Sequence, residues 1–264
     1  MKIIGEKING TRKRVKDAVL GRDATFIQKL AGDQAEAGAT WIDVNAGTPT
    51  NREPDDLIWL VQTVQAVVDK PLCLDSANPA AVAAALPEVK QAPLINSISG
   101  EQARLMGVLP LAAQASGGVI ALAMDDKGIP ADTEGRLAIV RRLIGETRGA
   151  GIPDEQVYVD PLVMTIGANG DAGRVALATV RAVKAEFPQV HFTSGLSNVS
   201  YGLPVRTLIN QAFLTLMLEA GLDTAILDPL DSELRKALLA ANVVLGHDRH
   251  CLTYTRAFRA GLLS

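Results

Sequence analysis

Residues 94–124 read LINSISGEQARLMGVLPLAAQASGGVIALAM. The apolar runs LINSIS, from Leu94, and VIALAM, from Val119, predict two strands, and the segment between them predicts a helix that ends at a Gly-Gly turn. Leu105 to Met124 contains no formal charge, and a run of this length is enough to span a bilayer. Its internal Pro110 and the Gly-Gly pair favour a helix followed by a buried strand in a soluble protein.

The same unit recurs along the whole sequence. Eight short apolar or β-branched runs are each followed by a longer segment of helical period, at spacings of roughly 20 to 40 residues, the size of one βα unit. The predicted strands begin at Ile3, Trp41, Leu72, Leu94, Val119, Val157, Phe192 and Thr224. Eight such units, without a GxGxxG turn after the first strand, favour a closed (β/α)8 barrel of the α/β class, formed as a single domain by residues 1–264.

The composition excludes several classes of protein. The chain has 264 residues, of which 48% are apolar and 21% charged, with a net charge of −3. Disordered chains are less apolar, disulfide scaffolds contain more than the two cysteines found here, and an acidic chain lacks the basic field that binds nucleic acid. The N-terminal MKIIGEKING lacks the apolar core of a signal peptide. We therefore expect a cytoplasmic protein that binds neither nucleic acid nor a membrane.

Polar side chains are concentrated at the ends of the predicted strands, where the active site of a barrel lies. The strand ends contribute Glu6, Asn9, Asp43, Asn45, Asp75, Asn96, Ser97, Met124, Asp125, Asp160, Ser197, Asn198 and Asp228. This set contains no histidine and no strand-end lysine after strands two to eight, while Lys7 is placed within strand one. A zinc hydrolase needs histidine ligands and a Schiff-base enzyme needs a lysine, so both are disfavoured and no bound metal is expected.

A ring of Asp and Asn side chains suits a flat heterocycle. Asp75, Asn96 and Asp160 follow strands three, four and six, and we expect them to converge. A carboxylate accepts two parallel hydrogen bonds from a ring N–H and a neighbouring amine, and an amide donates and accepts at once. The edge of a pterin presents that pattern. Capping of helices and turns is the structural alternative for these residues.

Seven motifs, in order, carry a resemblance to a known family. They are IIGEKING, CLDSAN, INSISGE, GIPADTEGRLA, YVDPL, GLSNVS and R-x-LIN-x-x-FL. From Ile3 to the final helix, the chain resembles the methyltetrahydrofolate:corrinoid/iron–sulfur protein methyltransferases and the related enzymes of anaerobic corrinoid-dependent demethylase systems. The wider group is that of the pterin-binding barrels, which includes dihydropteroate synthase.

The resemblance implies a site and a reaction. Asp75, Asn96 and Asp160 are implied to bind the pterin, Asn198 to hydrogen-bond near N5 of the folate, and Arg206 to belong to the same site. Asn198 and Asp160 are the implied catalytic residues. The implied reaction moves a methyl group, in either direction, between N5 of tetrahydrofolate and the cobalt of a corrinoid (cobalamin) carried by a separate protein. The implied assembly is a homodimer.

The predicted site contains no evident strong general acid. We therefore expect N5 to exchange its proton with solvent or with a water–carboxylate network, while the Asn198 amide donates or accepts as the charge changes. The structural alternatives are an Asx turn for Asn198 and pairing with a carboxylate at a helix end for Arg206.

The loops after strands four, six and seven depart from the pattern of the acetogenic enzymes, which leaves the corrinoid partner open. Two other functions also remain open. The first is a dihydropteroate synthase-like condensation, which the absence of lysine from strand seven disfavours. The second is a non-catalytic folate-binding subunit of a corrinoid complex.

Overall fold

A computed structural model describes residues 1–263 and contains one sheet of eight parallel strands, in the order β7-β6-β5-β4-β3-β2-β1-β8. The strands are β1 (Lys2–Asn9), β2 (Trp41–Asn45), β3 (Leu72–Asp75), β4 (Leu94–Gly100), β5 (Gly118–Asp125), β6 (Val157–Asp160), β7 (His191–Phe192) and β8 (Thr224–Leu227). The two ends of this order meet where Gly195 pairs with Ile226. The sheet thus closes into the predicted (β/α)8 barrel.

Helices cover the outside of the barrel. They are α1 (Lys13–Gly21), α2 (Ala24–Glu36), α3 (Glu53–Gln65), α4 (Pro79–Ala85), α5 (Gln102–Ala115), α6 (Thr133–Gly149), α7 (Ala172–Glu186), α8 (Arg206–Ala220), α9 (Ser232–Val244) and α10 (Leu252–Arg259). Several begin at a side chain that accepts a main-chain N–H bond, as Asp132 does from Gly135 at 2.7 Å. Both faces of the sheet are buried, which explains why its strands are apolar almost throughout.

Residues 94–124 fold as the sequence predicts. After β4, α5 ends at Ala115, Ser116 adopts a left-handed φ of 53°, and the chain enters β5. A Cβ on Gly117 would lie only 1.8 Å from the carbonyl oxygen of Pro93, so this position requires glycine. Within residues 1–263 we find no helix that is both long and apolar enough to cross a membrane.

Strand seven is shorter than predicted. The sequence predicts a strand from Phe192 that ends near Ser197 and Asn198, but the regular strand is only His191–Phe192. Thr193 still donates to the Val159 carbonyl at 3.0 Å before the chain leaves the sheet. Ser194 then accepts the Ile226 N–H at 3.0 Å and Gly195 pairs with Ile226 of β8, after which residues 196–200 form a 3-10 turn.

The N-terminal ends of the strands are closed by five side chains, Lys2, Trp41, Tyr158, His191 and Asp223, which we call the base cluster. The Tyr158 ring stacks on His191 with centroids 4.8 Å apart and meets Trp41 edge-on at 5.8 Å. Lys2 Nζ lies over the Trp41 and Tyr158 rings, and His191 Nδ1 is 2.6 Å from Asp223 Oδ2. His191 therefore lies at the end of the barrel away from the predicted site.

Candidate active site

Five carboxyl groups meet at the C-terminal ends of the strands, which we call the mouth. They are Glu6, Asp43, Asp75, Asp160 and Asp228. Besides burial, the negative charges of Asp75 and Glu6 raise the pKa of Asp43, and the negative charge of Asp228 raises the pKa of Glu6. The barrel therefore brings the predicted acidic side chains to one end, where like charges lie close together.

Asp43 is the most confined of these carboxyl groups. It is 2% exposed, and its Oδ1 has no hydrogen-bond partner within the described chain. Burial, reinforced by the neighbouring charge of Asp75, raises the pKa of Asp43 well above its usual value, and the nearby Cys73 and Asn96 side chains offset this only in part. Asp43 consequently holds its proton more tightly than an exposed aspartate does.

Asp75 lies at the end of the neighbouring strand, and its main chain pairs with Asn96 of β4. Asn45 Nδ2 donates to Asp75 Oδ2 at 3.0 Å. Burial raises the pKa of Asp75, against the Asn45 hydrogen bond and the charge of Arg104 on α5. Asn45, Asp75 and Asn96 thus form one polar edge along β2, β3 and β4.

Asp160 faces this edge from β6. Its Oδ1 accepts the Leu162 N–H at 2.8 Å, and the Gly195 N–H also donates to it. Burial raises the pKa of Asp160 to about 6, although both main-chain donors and the charge of Arg136 favour the ionised form. Asp160 is therefore mostly ionised at neutral pH, at a cost in desolvation.

Lys7 also reaches the mouth, which the sequence analysis did not predict. Its Nζ lies 2.6 Å from Asp228 Oδ2, and both side chains are about a quarter exposed. Beside this pair, Arg12 donates to Glu6 at 2.9 Å, and burial raises the pKa of Glu6 against that interaction. The β1 and β8 side of the mouth is thus a row of alternating charges.

An irregularity in β1 accounts for the position of Lys7. The β1–β2 register shifts between Gly5 and Ile8, as in a β-bulge. Gln34 of α2 fills the space, and its Oε1 accepts the Lys7 N–H at 2.9 Å. A Cβ on Gly5 would lie 2.6 Å from that oxygen, so a larger residue there would have to displace the Gln34 side chain. Regular alternation would not place the charges of Glu6 and Lys7 together at the mouth.

Arg206 organises the loop after β7. Its Nε donates to Ser200 Oγ at 3.0 Å and an Nη atom donates to the Ser197 carbonyl at 2.6 Å. Ser200 Oγ in turn donates to Asn210 Oδ1 at 2.7 Å. The partners of Arg206 are thus a hydroxyl and a carbonyl, and not the carboxylate that the structural alternative required.

Asn198 lies in the 3-10 turn that Arg206 holds. The side chain is exposed, and a Cβ on Gly195 would lie 3.2 Å from its Nδ2. Within residues 1–263 its amide group makes no hydrogen bond that would define an Asx turn. The Gly195 N–H donates to Asp160, and the Asn198 amide lies beside the Gly195 Cα. Both side chains therefore border Gly195.

The remaining predicted residues lie at the margin of the site. Asn9 Oδ1 accepts from Thr11 N–H at 3.0 Å, which caps the turn after β1. Ser97 is buried beyond a cis Asn96–Ser97 peptide bond. Met124 is half-buried at the end of β5, on the side of the strand that faces the barrel interior.

Arg104 is a second cation that the sequence analysis missed, because it lies on α5 beyond the strand ends. Its Nε is buried and has no hydrogen-bond partner among residues 1–263, and its guanidinium is 3.6 Å from Glu101 Oε2. It lines a cavity of about 530 Å³ beside the ends of β3, β4 and β5. Within the described chain, no group of three or more His, Cys, Asp or Glu side chains has the arrangement of a metal site.

Residues 5–228 match the sequence profile of the family described as pterin binding enzyme, and the chain belongs to this family. It is 38% identical, over 263 residues, to the methylcorrinoid:tetrahydrofolate methyltransferase of Eubacterium limosum, with 99% of this chain and 97% of that protein covered. It is 29% identical over 237 residues to the methionine synthase of Mycobacterium tuberculosis, covering 85% of this chain but 20% of that longer protein.

Solved structures of dihydropteroate synthases share the fold. The Yersinia pestis enzyme with a pterin–sulfa conjugate has a TM-score of 0.70 at 19% identity, with 93% of each chain covered. The Stenotrophomonas maltophilia enzyme has a TM-score of 0.66 at 17% identity, with 83% of this chain and 88% of that chain covered. These comparisons confirm the predicted barrel, and the family and the Eubacterium relative confirm the predicted resemblance to enzymes of this kind.

Proposed function

We propose that this enzyme transfers a methyl group from the cobalt of a protein-bound corrinoid to N5 of tetrahydrofolate. The observation that carries the proposal is the gathering of Asp75, Asn96 and Asp160 at the mouth of a chain 38% identical to a methylcorrinoid:tetrahydrofolate methyltransferase. The donor follows from the name of that relative. The same groups serve the reverse direction.

The mouth offers the hydrogen-bonding pattern that a pterin needs. Asp160 is mostly ionised at neutral pH, because its pKa is about 6, and can accept two hydrogen bonds from an N–H and an amine on one edge of the ring. Asp75 and Asn96 lie on neighbouring strands and supply a second acceptor and an amide. Main-chain donors fix the Asp160 carboxylate, so little reorganisation is needed on binding.

The chemical step forms the N5–methyl bond and breaks the cobalt–carbon bond, whose electron pair stays on cobalt. N5 must then lose its proton. Asn198 suits the N5 position because its free amide can accept from the N–H of the substrate and donate to the nitrogen lone pair of the product. The proton passes through water to a carboxyl group of the mouth, where Asp43 and Glu6 have raised pKa values.

The corrinoid protein is proposed to cover the β6 to β8 side of the mouth, where N5 would lie beside Asn198. Apolar side chains are exposed on the loops and helix start there, namely Met164, Tyr201, Val205, Leu208 and Leu230. Thr165 donates to the Tyr201 carbonyl at 2.7 Å, so the loops after β6 and β7 form one surface. This surface is continuous with the site and includes two of the loops whose sequences depart from the acetogenic pattern.

The direct test is an anaerobic assay with methylcobalamin and tetrahydrofolate, in which the formation of cob(I)alamin is followed by its spectrum. We expect turnover in the native enzyme. Replacing Asn198 with Ala should lower kcat by about tenfold and weaken folate binding by less. The reason is that one hydrogen bond of about 1–3 kcal/mol is lost in the transition state. Asn242→Ala, on α9, is the matched control and should keep full activity.

Other outcomes separate the alternative functions. Folate binding without turnover, even with a corrinoid protein as donor, would indicate a non-catalytic subunit. Condensation of a pterin diphosphate with p-aminobenzoate would indicate a dihydropteroate synthase. Failure to bind tetrahydrofolate would contradict the proposal as a whole.

We also propose that the enzyme is a homodimer, as the family resemblance implies. Light scattering during size-exclusion chromatography should give twice the mass of one chain. The mass of a single chain at micromolar concentration would contradict this proposal.

A further inference from the structure

A buried arginine lies behind the mouth, and the proposed reaction has not yet used it. Arg136 is the arginine of the GIPADTEGRLA motif and belongs to the first turns of α6. Its side chain is 2% exposed, although arginine is almost never fully buried without a specific partner. Burial lowers the pKa of Arg136, against the charges of Asp160 and Asp132, but the group remains a cation at any physiological pH.

The hydrogen bonds of Arg136 go to main-chain carbonyl groups. Nε donates to Pro130 at 3.0 Å, and Nη1 donates to Pro161 at 2.7 Å and to Leu162 at 2.8 Å. The planar guanidinium thus joins the segment before α6 to the segment after β6. A lysine ammonium is a compact point charge and lacks this fixed fork of donors.

Two of these carbonyl groups belong to the turn that follows Asp160. Leu162 has a left-handed φ of 61°, a conformation that branched and bulky residues rarely adopt. In this conformation its N–H donates to Asp160 Oδ1 at 2.8 Å. Arg136 therefore binds the carbonyl group of Leu162, and the N–H group of the same residue donates to the Asp160 carboxylate.

Arg136 is also the charged group that acts on Asp160. Among the elements packed against β6, α6 supplies Arg136, β5 places Leu122 opposite Asp160, and the loop after β7 supplies the Gly195 N–H. The titratable His191 of β7 stacks on Tyr158, at the other end of β6. The ionised form of Asp160 is thus stabilised by the charge of Arg136 and by the N–H groups of Leu162 and Gly195.

We propose that Arg136 is a positioning residue that fixes the turn after β6 and keeps the Asp160 carboxylate ionised and aimed at the pterin. The identity of the ligand rests on the proposed function. The coupling between Arg136 and Asp160 does not, because it is present in the unliganded chain.

The test is a titration of Asp160 by carboxyl ¹³C NMR in the unliganded protein, with the resonance assigned from Asp160→Asn. In Arg136→Met the midpoint should rise, because a neighbouring cation is removed and the turn that presents the Leu162 N–H loses its hydrogen bonds to the guanidinium. Arg136→Lys retains the charge and should keep the midpoint. Arg148→Met removes an arginine from the other end of α6, where it pairs with Asp154, and should also keep it.

Tetrahydrofolate affinity at pH 7 provides the second measurement. We expect about a tenfold loss in Arg136→Met and about a threefold loss in Arg136→Lys, which keeps the charge but loses the fork of donors. An unchanged midpoint in Arg136→Met, even with a lower melting temperature, would overturn the proposal.

If Arg136→Met does not fold, Arg136→Lys is the variant that tests the proposal. Native tetrahydrofolate affinity in Arg136→Lys would overturn the positioning role. A shifted midpoint in a protein that does not bind tetrahydrofolate would contradict the proposed function and leave the coupling in place.

Discussion

The two ends of the barrel differ in how completely the carboxylate groups are hydrogen-bonded. At the base, Asp223 accepts from His191, from the Phe192 N–H and from Thr224, and Lys2 donates to Tyr158. At the mouth, carboxyl groups lie beside one another, and Asp43 keeps one oxygen without a partner within the described chain. The base therefore stabilises the fold, while the mouth retains polar groups that a ligand can satisfy.

The pKa shifts of the two ends have opposite signs. Burial raises the pKa of Asp160 to about 6, so the folded state holds this proton more tightly than the unfolded state and loses stability as pH rises from about 4 to 6. At neutral pH this raised pKa costs the folded state about 3 kcal/mol. At Asp223, burial acts in the same direction, but the hydrogen bond and charge of His191, together with the hydrogen bonds from the Phe192 N–H and Thr224, outweigh it and hold the pKa below its usual value.

Asp160→Asn should have the largest effect on activity. An amide cannot replace the carboxylate in two charge-assisted hydrogen bonds, so kcat/KM for tetrahydrofolate should fall by about a hundredfold or more. The free energy of unfolding at pH 7 should stay unchanged or rise, because the cost of a buried charge is removed. Steady-state kinetics and urea unfolding measure the two quantities. Loss of stability together with activity would show that Asp160 is a structural residue.

The bulge in β1 gives the next largest effect. In Gly5→Ala the new methyl group would meet Gln34 Oε1, and we expect a loss of about 2 kcal/mol in the free energy of unfolding. Activity should also fall, because the bulge places Lys7 and Glu6 at the mouth. The added Gln34→Ala substitution should restore part of the stability. Unaltered stability in Gly5→Ala, measured by urea unfolding, would mean that the bulge is not needed.

A smaller effect is expected at the base, where Asp223→Asn should leave kcat and KM unchanged. We expect a loss of about 1 kcal/mol, limited by the partial exposure of this pair, or a fall of about 2–4 °C in melting temperature. Since the pKa of Asp223 is lowered, its stabilisation is complete above about pH 4 and is lost as pH falls further. The variant and the native enzyme should therefore converge in stability at acid pH, and a constant difference in their melting temperatures down to pH 3 would refute this assignment.

The smallest effect is predicted for Tyr158→Phe. The Tyr158 hydroxyl accepts from Lys2 at 3.4 Å, which is a long hydrogen bond, and the ring contacts would be retained. The free energy of unfolding should fall by about 0.5 kcal/mol or less. A loss above 2 kcal/mol in chemical denaturation would show that the base depends on the hydroxyl and not on ring packing.

The sequence predicts the barrel well because each strand carries its own signal. The apolar run from Val119 and the polar residue at its end are both visible without knowledge of the neighbouring strands. Asp75, Asn96 and Asp160 could be placed at one end of the barrel for the same reason, since all strands are parallel and their C-terminal ends meet.

The residues that the sequence did not place depend on distant parts of the chain. Lys7 reaches Asp228 only because Gln34, on α2, fills a bulge in β1. Arg136 reaches a turn that lies 25 and 26 residues further along the chain. Strand seven leaves the sheet directly after its contact with β8 at Gly195. A periodic pattern contains no information about such contacts.

If an ionised Asp160 at the mouth recognises the folate, folate affinity must depend on pH. The dissociation constant of tetrahydrofolate is to be measured by calorimetry from pH 5 to pH 8 in the native enzyme, Asp160→Asn and Asp223→Asn. We predict that affinity in the native enzyme and in Asp223→Asn weakens below about pH 6, approaching tenfold per pH unit, and that Asp160→Asn binds weakly at every pH. A pH-independent affinity in the native enzyme, or native affinity in Asp160→Asn, would show that an ionised Asp160 does not recognise the folate.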